Sequence, residues 1–274
     1  MAAGCVIGVD LGGTKLFAGT VDSKLEVHHR AYRLARPDDT GVLIDQLVET
    51  VQEAIEAASG EVLAVGLGIP CLVDPRTGIA LDSNHLPLRG VAVRDVLAER
   101  LGLPVAVDND ANAAMLAEWR CGEARGTRNA IMLTLGTGIG GGLIVEGLRV
   151  ARETPDSALG RALRSGRDVT GALVTELAHD GDPAACDVMT LMGRRLGLGI
   201  VTLVNIFNPE VVVVGGGAIA AGELLLAPAR EVIASRALPI NREDARLVPA
   251  RFGAESGMLG AACMALDVAG IPVA

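Results

Sequence analysis

The stretch Leu133–Gly147, LTLGTGIGGGLIVEG, decides how the chain is read. Gly136, Gly138 and Gly141 match the G-x-G-x-x-G dinucleotide fingerprint letter for letter. That fingerprint works only where a strand turns tightly into a helix whose N-terminal amides meet a pyrophosphate. Here Gly140–Gly142 lead into Leu143, Ile144 and Val145, an aliphatic run bounded by glycines, so the pattern predicts a hairpin joining two strands and no helix. Glycine allows positive φ and close backbone approach, so such a hairpin can still cradle a phosphate in converging amides.

Outward from this loop, the chain of 274 residues is long enough for about two domains with a sizeable core. Half of the residues are hydrophobic but only 2% are aromatic, so the core is built from Val, Leu, Ile and Ala, and base-stacking or sugar-stacking readings are limited. A formal net charge of -9 and a pI near 5.0 argue against a nucleic-acid partner, whose phosphates need clustered Lys and Arg. A nucleotide held by backbone amides needs no such excess. No leader-like opening and no apolar run of about 18 residues is evident, which predicts a cytoplasmic protein with no membrane partner. Cys5, Cys71, Cys121, Cys186 and Cys263 are odd in number, scattered and never C-x-x-C, the pattern of reduced thiols.

From the N-terminus, CVIGVD (5–10), KLFAGTVD (15–22) and VHHRAYRL (27–34) read as a β-meander with a turn at LGGT. Leu43, Ile44, Leu47, Val48, Val51, Ile55 and Ala58 recur at helical spacing up to Gly60. VLAVGLGIP (62–70) and LPVAVDND (103–110) are strands, and VRDVLAERLG (93–102) and ANAAMLAEWR (111–120) are helices, so the first hundred or so residues predict a mixed sheet with crossover helices. The pattern then restarts: VIGVDLGGTKLFAGTVD and AIMLTLGTGIGGGLIVEG are both strand, Leu-Gly turn, strand, which suggests two related lobes. The second carries helices around Asp168–Ala178 and Pro183–Phe207, then PEVVVVGGGAIAAGELLL (209–226), a strand running through glycines into a helix. The next strand, ARLVPA, ends without the acidic residue that holds a ribose hydroxyl, so NAD ranks last.

Four segments in order, VDLGGTK (Val9–Lys15), VDNDANAA (Val107–Ala114), LTLGTGIGGG (Leu133–Gly142) and NPEVVVVGGG (Asn208–Gly217), together resemble the ROK family, and within it the ATP-dependent glucokinases. Matching segments run from Val6 to about Arg149 and from about Arg152 to Leu266. The resemblance implies an α/β, two-lobed actin-like ATPase (ribonuclease H-like) fold with an interlobe cleft. Its lobes are expected at 1–111 plus about 255–274, the smaller, and 112–254, the larger. No helix-turn-helix precedes Val6, which sets aside the family's repressors, and GGTK fits the ATP users better than the polyphosphate users.

The resemblance implies ATP and Mg²⁺ as cofactors and a hexose as substrate. Asp10 ends a strand beside a glycine turn, where it holds Mg²⁺ through water or simply caps the turn. Gly12, Gly13 and Thr14 offer amides and a hydroxyl to phosphate; Lys15 adds charge or is a solvated hairpin lysine. Thr137 and Gly138 do the same from the second lobe, and Gly215, Gly216 and Gly217 admit the adenosine. Asp110, at a strand-to-helix junction, takes the family's general-base role or is a helix cap. Asn109 and Asn84 resemble the sugar-hydroxyl ligands, Asn84 being also a turn former. His28, His29 and His85 have no metal-like spacing.

The resemblance breaks after GGLIVEGLRV. Family members continue through a sugar-binding Glu, a Gly-His pair and a C-x-C-G-x-x-G-C zinc knuckle, whereas this chain passes directly to ARETPDSALGRAL. A few dozen residues are absent at a seam near Val150 and Ala151, so zinc is not expected and part of the sugar site is lost. Either the chain lacks the segment or a mobile insertion was left out, in which case a break is expected within Leu148–Thr154 with its ends at the cleft mouth. Phosphorylation of glucose to glucose 6-phosphate leads. The alternatives are a kinase for mannose, fructose or an N-acetyl sugar, and an impaired nucleotide- or sugar-binding regulator. The family suggests a homodimer or higher homo-oligomer.

Overall fold

The computed structural model describes residues 4–12, 15–34, 39–83, 86–135 and 137–274, with the backbone alone over 137–144. The chain forms two compact units, Met1–Arg125 with Glu255–Ala274, and Gly126–Ala254. The first contains β1 (Cys5–Leu11), β2 (Lys15–Val21), β3 (Val27–Leu34), α1 (Thr40–Glu56), β4 (Val62–Ile69), β5 (Cys71–Asp74), β6 (Ile79–Ser83), β7 (Val91–Ala92), α2 (Val93–Leu101), β8 (Val105–Asn109) and α3 (Asp110–Cys121). The second contains β9 (Ala130–Thr134), α4 (Thr137–Glu153), α5 (Ala158–Arg164), α6 (Gly171–His179), α7 (Pro183–Phe207), β10 (Val211–Gly215), α8 (Glu223–Arg236), α9 (Pro239–Asp244) and β11 (Arg246–Pro249). The chain then returns to the first unit as α10 (Ser256–Val268).

The first unit's sheet has the order β3-β2-β1-β4-β8. The meander β1–β3 is antiparallel, and β4 and β8 run parallel to β1. Parallel strands need crossovers, and α1 supplies one by burying Leu43, Leu47, Val51 and Ala54, the face that the 3.6-residue spacing marks. Asp39 caps its start by accepting from the Val42 N–H at 3.1 Å. On the other side α10 lies so close that a Cβ on Gly8, Gly66 or Gly260 would strike backbone atoms. The small antiparallel sheet β5-β6-β7 leaves from the end of β4; periodicity over so few residues does not reveal it.

The second unit has a parallel sheet, β11-β10-β9, whose central strand β10 is wholly buried valine and glycine. α7 is its core helix. Asp182 caps its start, Pro183 occupies the first turn, and Asn208 ends it in the left-handed conformation at φ 43°. By length and composition alone α7 could cross a membrane, but Ala185, Val188, Met189, Ile200 and Val204 are buried in the unit's core.

Three expectations are corrected here. Leu143–Val145 is not the second strand of a hairpin but part of α4. A hairpin strand needs an edge to pair with, whereas Leu148, Val150 and Ala151 are spaced to pack against the core beside α6 and α7. Arg149 also pairs along the helix with Glu146 at 2.8 Å and Glu153 at 2.7 Å, and Arg195 reaches Glu146 at 2.8 Å. The second unit therefore does not repeat the meander of the first. The expected break within Leu148–Thr154 does not occur: α4 runs through to Glu153, and Thr154 donates from its N–H to the Val150 carbonyl at 2.9 Å. Finally, the division falls at Arg125/Gly126 and not at 111/112, and the first unit is the larger, because α3 packs against α10.

Candidate functional site

The parallel strands of the first unit bring three polar positions to one edge. Asp10 of β1 is in register with Gly68 of β4, Gly68 with Asp108 of β8, and Ile69 with Asn109. This is the carboxyl edge, where open α/β sheets place their ligands. Gly68 also lets α3 begin there: a Cβ on it would lie 3.3 Å from the Asp110 Cα and 3.3 Å from the Ala113 Cβ.

Asn109, not Asp110, caps α3. Its Oδ1 accepts from the N–H groups of Ala111 at 2.9 Å and Asn112 at 3.3 Å, while its Nδ2 donates to the carbonyls of Ile69 at 3.4 Å and Cys71 at 3.2 Å. The carboxamide thus ties the end of β4 to the start of α3. Asp110 is left at the first helical position, its Oδ1 accepting from the Ala111 N–H at 2.9 Å. Burial raises the Asp110 carboxyl above the usual carboxylate range, against the lowering effect of that hydrogen bond. The cap of α3 is thus supplied by Asn109 and not by Asp110.

Asp10 is pushed up to about 6, first by burial and then by the negative charge on Asp110. No hydrogen bond to its carboxylate is formed among the described residues. Its space comes from Gly257 at the start of α10, where a Cβ would lie 2.6 Å from the carboxyl carbon. A half-buried carboxylate beside a second one, with no hydrogen-bond donor among the described residues, is the donor chemistry that a divalent cation relieves, so Asp10 fits Mg²⁺.

Beside this pair a cavity of about 470 Å³ opens between the β5–β6 sheet and α3, lined by Cys71, Leu72, Asp82, Ser83, Asn109 and Asn112 among others. Its size and its few convergent polar groups suit a monosaccharide-sized ligand. The charge on Asp110 reaches its wall, helping to raise the Cys71 thiol after the larger effect of burial. Asn112 is held by a 3.0 Å hydrogen bond from its Nδ2 to Asp108 Oδ1. The Gly12 N–H donates to the Lys15 carbonyl at 2.7 Å. Gly13, Thr14, Asn84 and His85 lie outside the described residues.

In the second unit two glycine loops meet at the carboxyl edge of β9 and β10. The Leu135 N–H donates to the Gly215 carbonyl at 2.8 Å, and the Ala218 N–H to the Leu135 carbonyl at 3.3 Å. Gly216 has φ 85°, and a Cβ there would lie 2.6 Å from the Leu135 carbonyl oxygen, so only glycine fits. Nothing lies within 4 Å of a Cβ on Gly217, which leaves its backbone open. Thr137 and Gly138 begin α4, so their amides belong to a helix N-terminus. This strand-to-helix context is the one that the fingerprint requires, but the neighbouring parallel strand β10 ends at Gly215 with no acidic residue for a ribose.

The structure brings the sequence candidates Asp10, Asn109 and Asp110 to one sheet edge and Gly215–Gly217 to another. Asp82, Ser83, Asn112 and Gly257, which lie beside the first group, are not among those candidates. Asn112 stands within the DNDAN string already singled out, and Ser83 adjoins Asn84. Gly257 carries no sequence signal, because its role depends on where α10 lands.

A profile described as the ROK family matches residues 6–151 and 155–268, and the interruption at 152–154 falls at the seam. The glucokinase of Streptomyces coelicolor is 29% identical over 316 residues, covering 96% of this chain and 98% of that protein. That alignment is longer than the 274 residues of this chain, so at least 42 of its positions have no counterpart here. The glucokinase of Thermotoga maritima is 32% identical, covering 94% of this chain and 96% of its own length. Among solved structures, a ROK family glucokinase from Streptomyces griseus in complex with glucose and AMPPNP superposes with a TM-score of 0.84 at 28% identity, over 96% of this chain and 99% of that one. The fold is therefore the actin-like ATPase fold, and the chain belongs to the ROK family.

Proposed function

We propose that the chain transfers the γ-phosphoryl group of ATP to a hexose, glucose first, giving glucose 6-phosphate. The observation that carries this reading is the pair Asp10 and Asp110 at one sheet edge, beside a polar cavity of monosaccharide size, in a member of the ROK family. The glucokinase names of its relatives support the substrate class.

In this mechanism the cavity holds the sugar against Asp82, Ser83, Asn109 and Asn112, with Asn84 as a further ligand. Asp110 accepts the proton of the attacking hydroxyl, and its raised pKa brings its basicity nearer to the working pH. Asn109 holds α3 so that Asp110 stays at the edge. Gly12, Gly13, Thr14 and Lys15 receive phosphate oxygens, as do Thr137 and Gly138, while Gly215, Gly216 and Gly217 present bare backbone to the adenosine. Asp10 would hold Mg²⁺ through water, and the ion would supply neutralisation of the phosphate charge when bound. Zinc has no role in this reading. The enzyme works in the cytoplasm as a homodimer or larger homo-oligomer, without nucleic acid or membrane.

A second reading, a nucleotide- or sugar-binding regulator without turnover, is favoured by the positions of the related glucokinase that have no counterpart in this chain. A coupled assay measuring ADP release with glucose, mannose, fructose and N-acetylglucosamine separates the two. Sugar-dependent ADP release supports the kinase. Saturable glucose and ATP binding without release supports the regulator.

A further inference from the structure

At the edge of the second unit's sheet opposite to its glycine loops, three arginines surround a recess of about 310 Å³. Arg230 comes from α8, Arg242 from α9 and Arg246 from the start of β11. Its floor is apolar, with Ile233 and Leu247 buried and Ala245 half-buried. Arg246 is in register with Val211, the first residue of β10, whereas the glycine loop follows Gly215, its last. At about 3.3 Å per residue the recess lies roughly 13 Å along the strand from that loop.

The positive charge here is only partly matched by carboxylates. Arg230 donates from Nε to the Leu247 carbonyl at 3.1 Å and pairs with Glu223. Arg242 donates to the Ala234 carbonyl at 2.9 Å. Among the described residues neither Arg242 nor Arg246 has a carboxylate within salt-bridge distance, and the Arg246 guanidinium makes no hydrogen bond, its backbone N–H alone donating to the Glu210 carbonyl at 3.1 Å. A guanidinium carries five N–H donors, so most donors around the recess are unused by the protein. The backbone hydrogen bonds of Arg230 and Arg242 fix two of the three heads in advance, which lowers the ordering cost of binding.

We infer that this recess binds the phosphomonoester dianion of a small metabolite. Two unpaired guanidinium charges match a dianion, and forked donors match its tetrahedral oxygens. The apolar floor accommodates the body that the phosphate is attached to, and the small volume restricts the ligand to metabolite size. The inference stands apart from the kinase reading, since it uses none of the residues assigned to that site.

Isothermal titration of the full chain at low ionic strength, with inorganic phosphate and separately with glucose 6-phosphate, tests it. The comparison includes Arg246→Glu, Arg242→Ala and, as a control for the other site, Asp110→Asn. The expected result is a binding event weakened by about tenfold or more in Arg246→Glu and left within about twofold in Asp110→Asn, as for a charge-assisted contact that is lost in one and kept in the other. Arg246 is exposed, so this variant should melt with the parent even if Arg242→Ala, which loses a backbone contact, does not. Tighter binding of glucose 6-phosphate than of phosphate supports a role for the floor, and equal binding supports recognition of the phosphate alone. Equal affinity in the parent and Arg246→Glu, or no heat that depends on these arginines, overturns the inference and leaves the arginine stems as cover for apolar surface.

Discussion

Asp10→Asn should make the protein more stable while removing its activity. The Asp10 carboxyl titrates at about 6 in the fold against an ordinary value of 3.8. At about 1.4 kcal/mol per pKa unit, ionising it in place costs roughly 3 kcal/mol at pH 7.5. Because the folded value is the higher one, stability from this group is complete below about 3.8 and is lost as the pH rises through about 6. Asparagine keeps the shape without the charge. The gain from Asp10→Asn is therefore expected to be about 3 kcal/mol at pH 7.5 and to shrink to about 1 kcal/mol at pH 4.5. Urea unfolding of both proteins at both pH values, without Mg²⁺ or nucleotide, reads this difference. Mg²⁺ with nucleotide should then stabilise the parent more than the variant, since only the parent keeps the cation's carboxylate. A variant no more stable than its parent at pH 7.5, or a gain that does not shrink towards pH 4.5, would refute the placement of an unrelieved charge at this edge.

The other expectations concern the same scaffold. Asp110→Asn should lower kcat by about 10² to 10⁴-fold, the range of a lost general base, while the melting temperature holds or rises. Asn109→Ala should cost about 1 kcal/mol in urea unfolding through the lost cap and should also lower kcat, because Asp110 loses its fixed position. Gly257→Ala should reduce the stabilisation that Mg²⁺ and nucleotide give to the melting temperature, since its Cβ would lie 2.6 Å from the Asp10 carboxyl carbon. Gly197→Ala should destabilise by about 1–3 kcal/mol through overpacking, its Cβ falling 2.7 Å from the Ala229 carbonyl oxygen between α7 and α8.

Much of the architecture is written in local pattern. The run of buried aliphatics in α1, the Asp-Pro start of α7 and the valines of β10 each state their element through spacing, caps or β-branching. The stretch around Gly140 does not. Its glycines disfavour helix by about 1 kcal/mol each, and Leu143–Val145 suits a strand as well as a helix. Its outcome is decided further along, where Leu148, Val150 and Ala151 pack on the second unit's core. The site divides in the same way. Asp10 and Asp110 stand at strand ends that the sequence marks, but the residues that shape their surroundings arrive from β6 and α10, and only the folded chain brings these to the sheet edge.

If the edge carrying Asp10 and Asp110 moves a phosphoryl group onto a hexose, phosphorus NMR of ATP, Mg²⁺ and glucose with stoichiometric protein shows the transfer itself. The kinase account expects the γ-phosphate signal to be replaced by that of a sugar phosphomonoester, at a rate at least about a hundredfold slower in Asp110→Asn. An unchanged ATP spectrum in the presence of demonstrated glucose and ATP binding, or equal rates in the parent and Asp110→Asn, would contradict it.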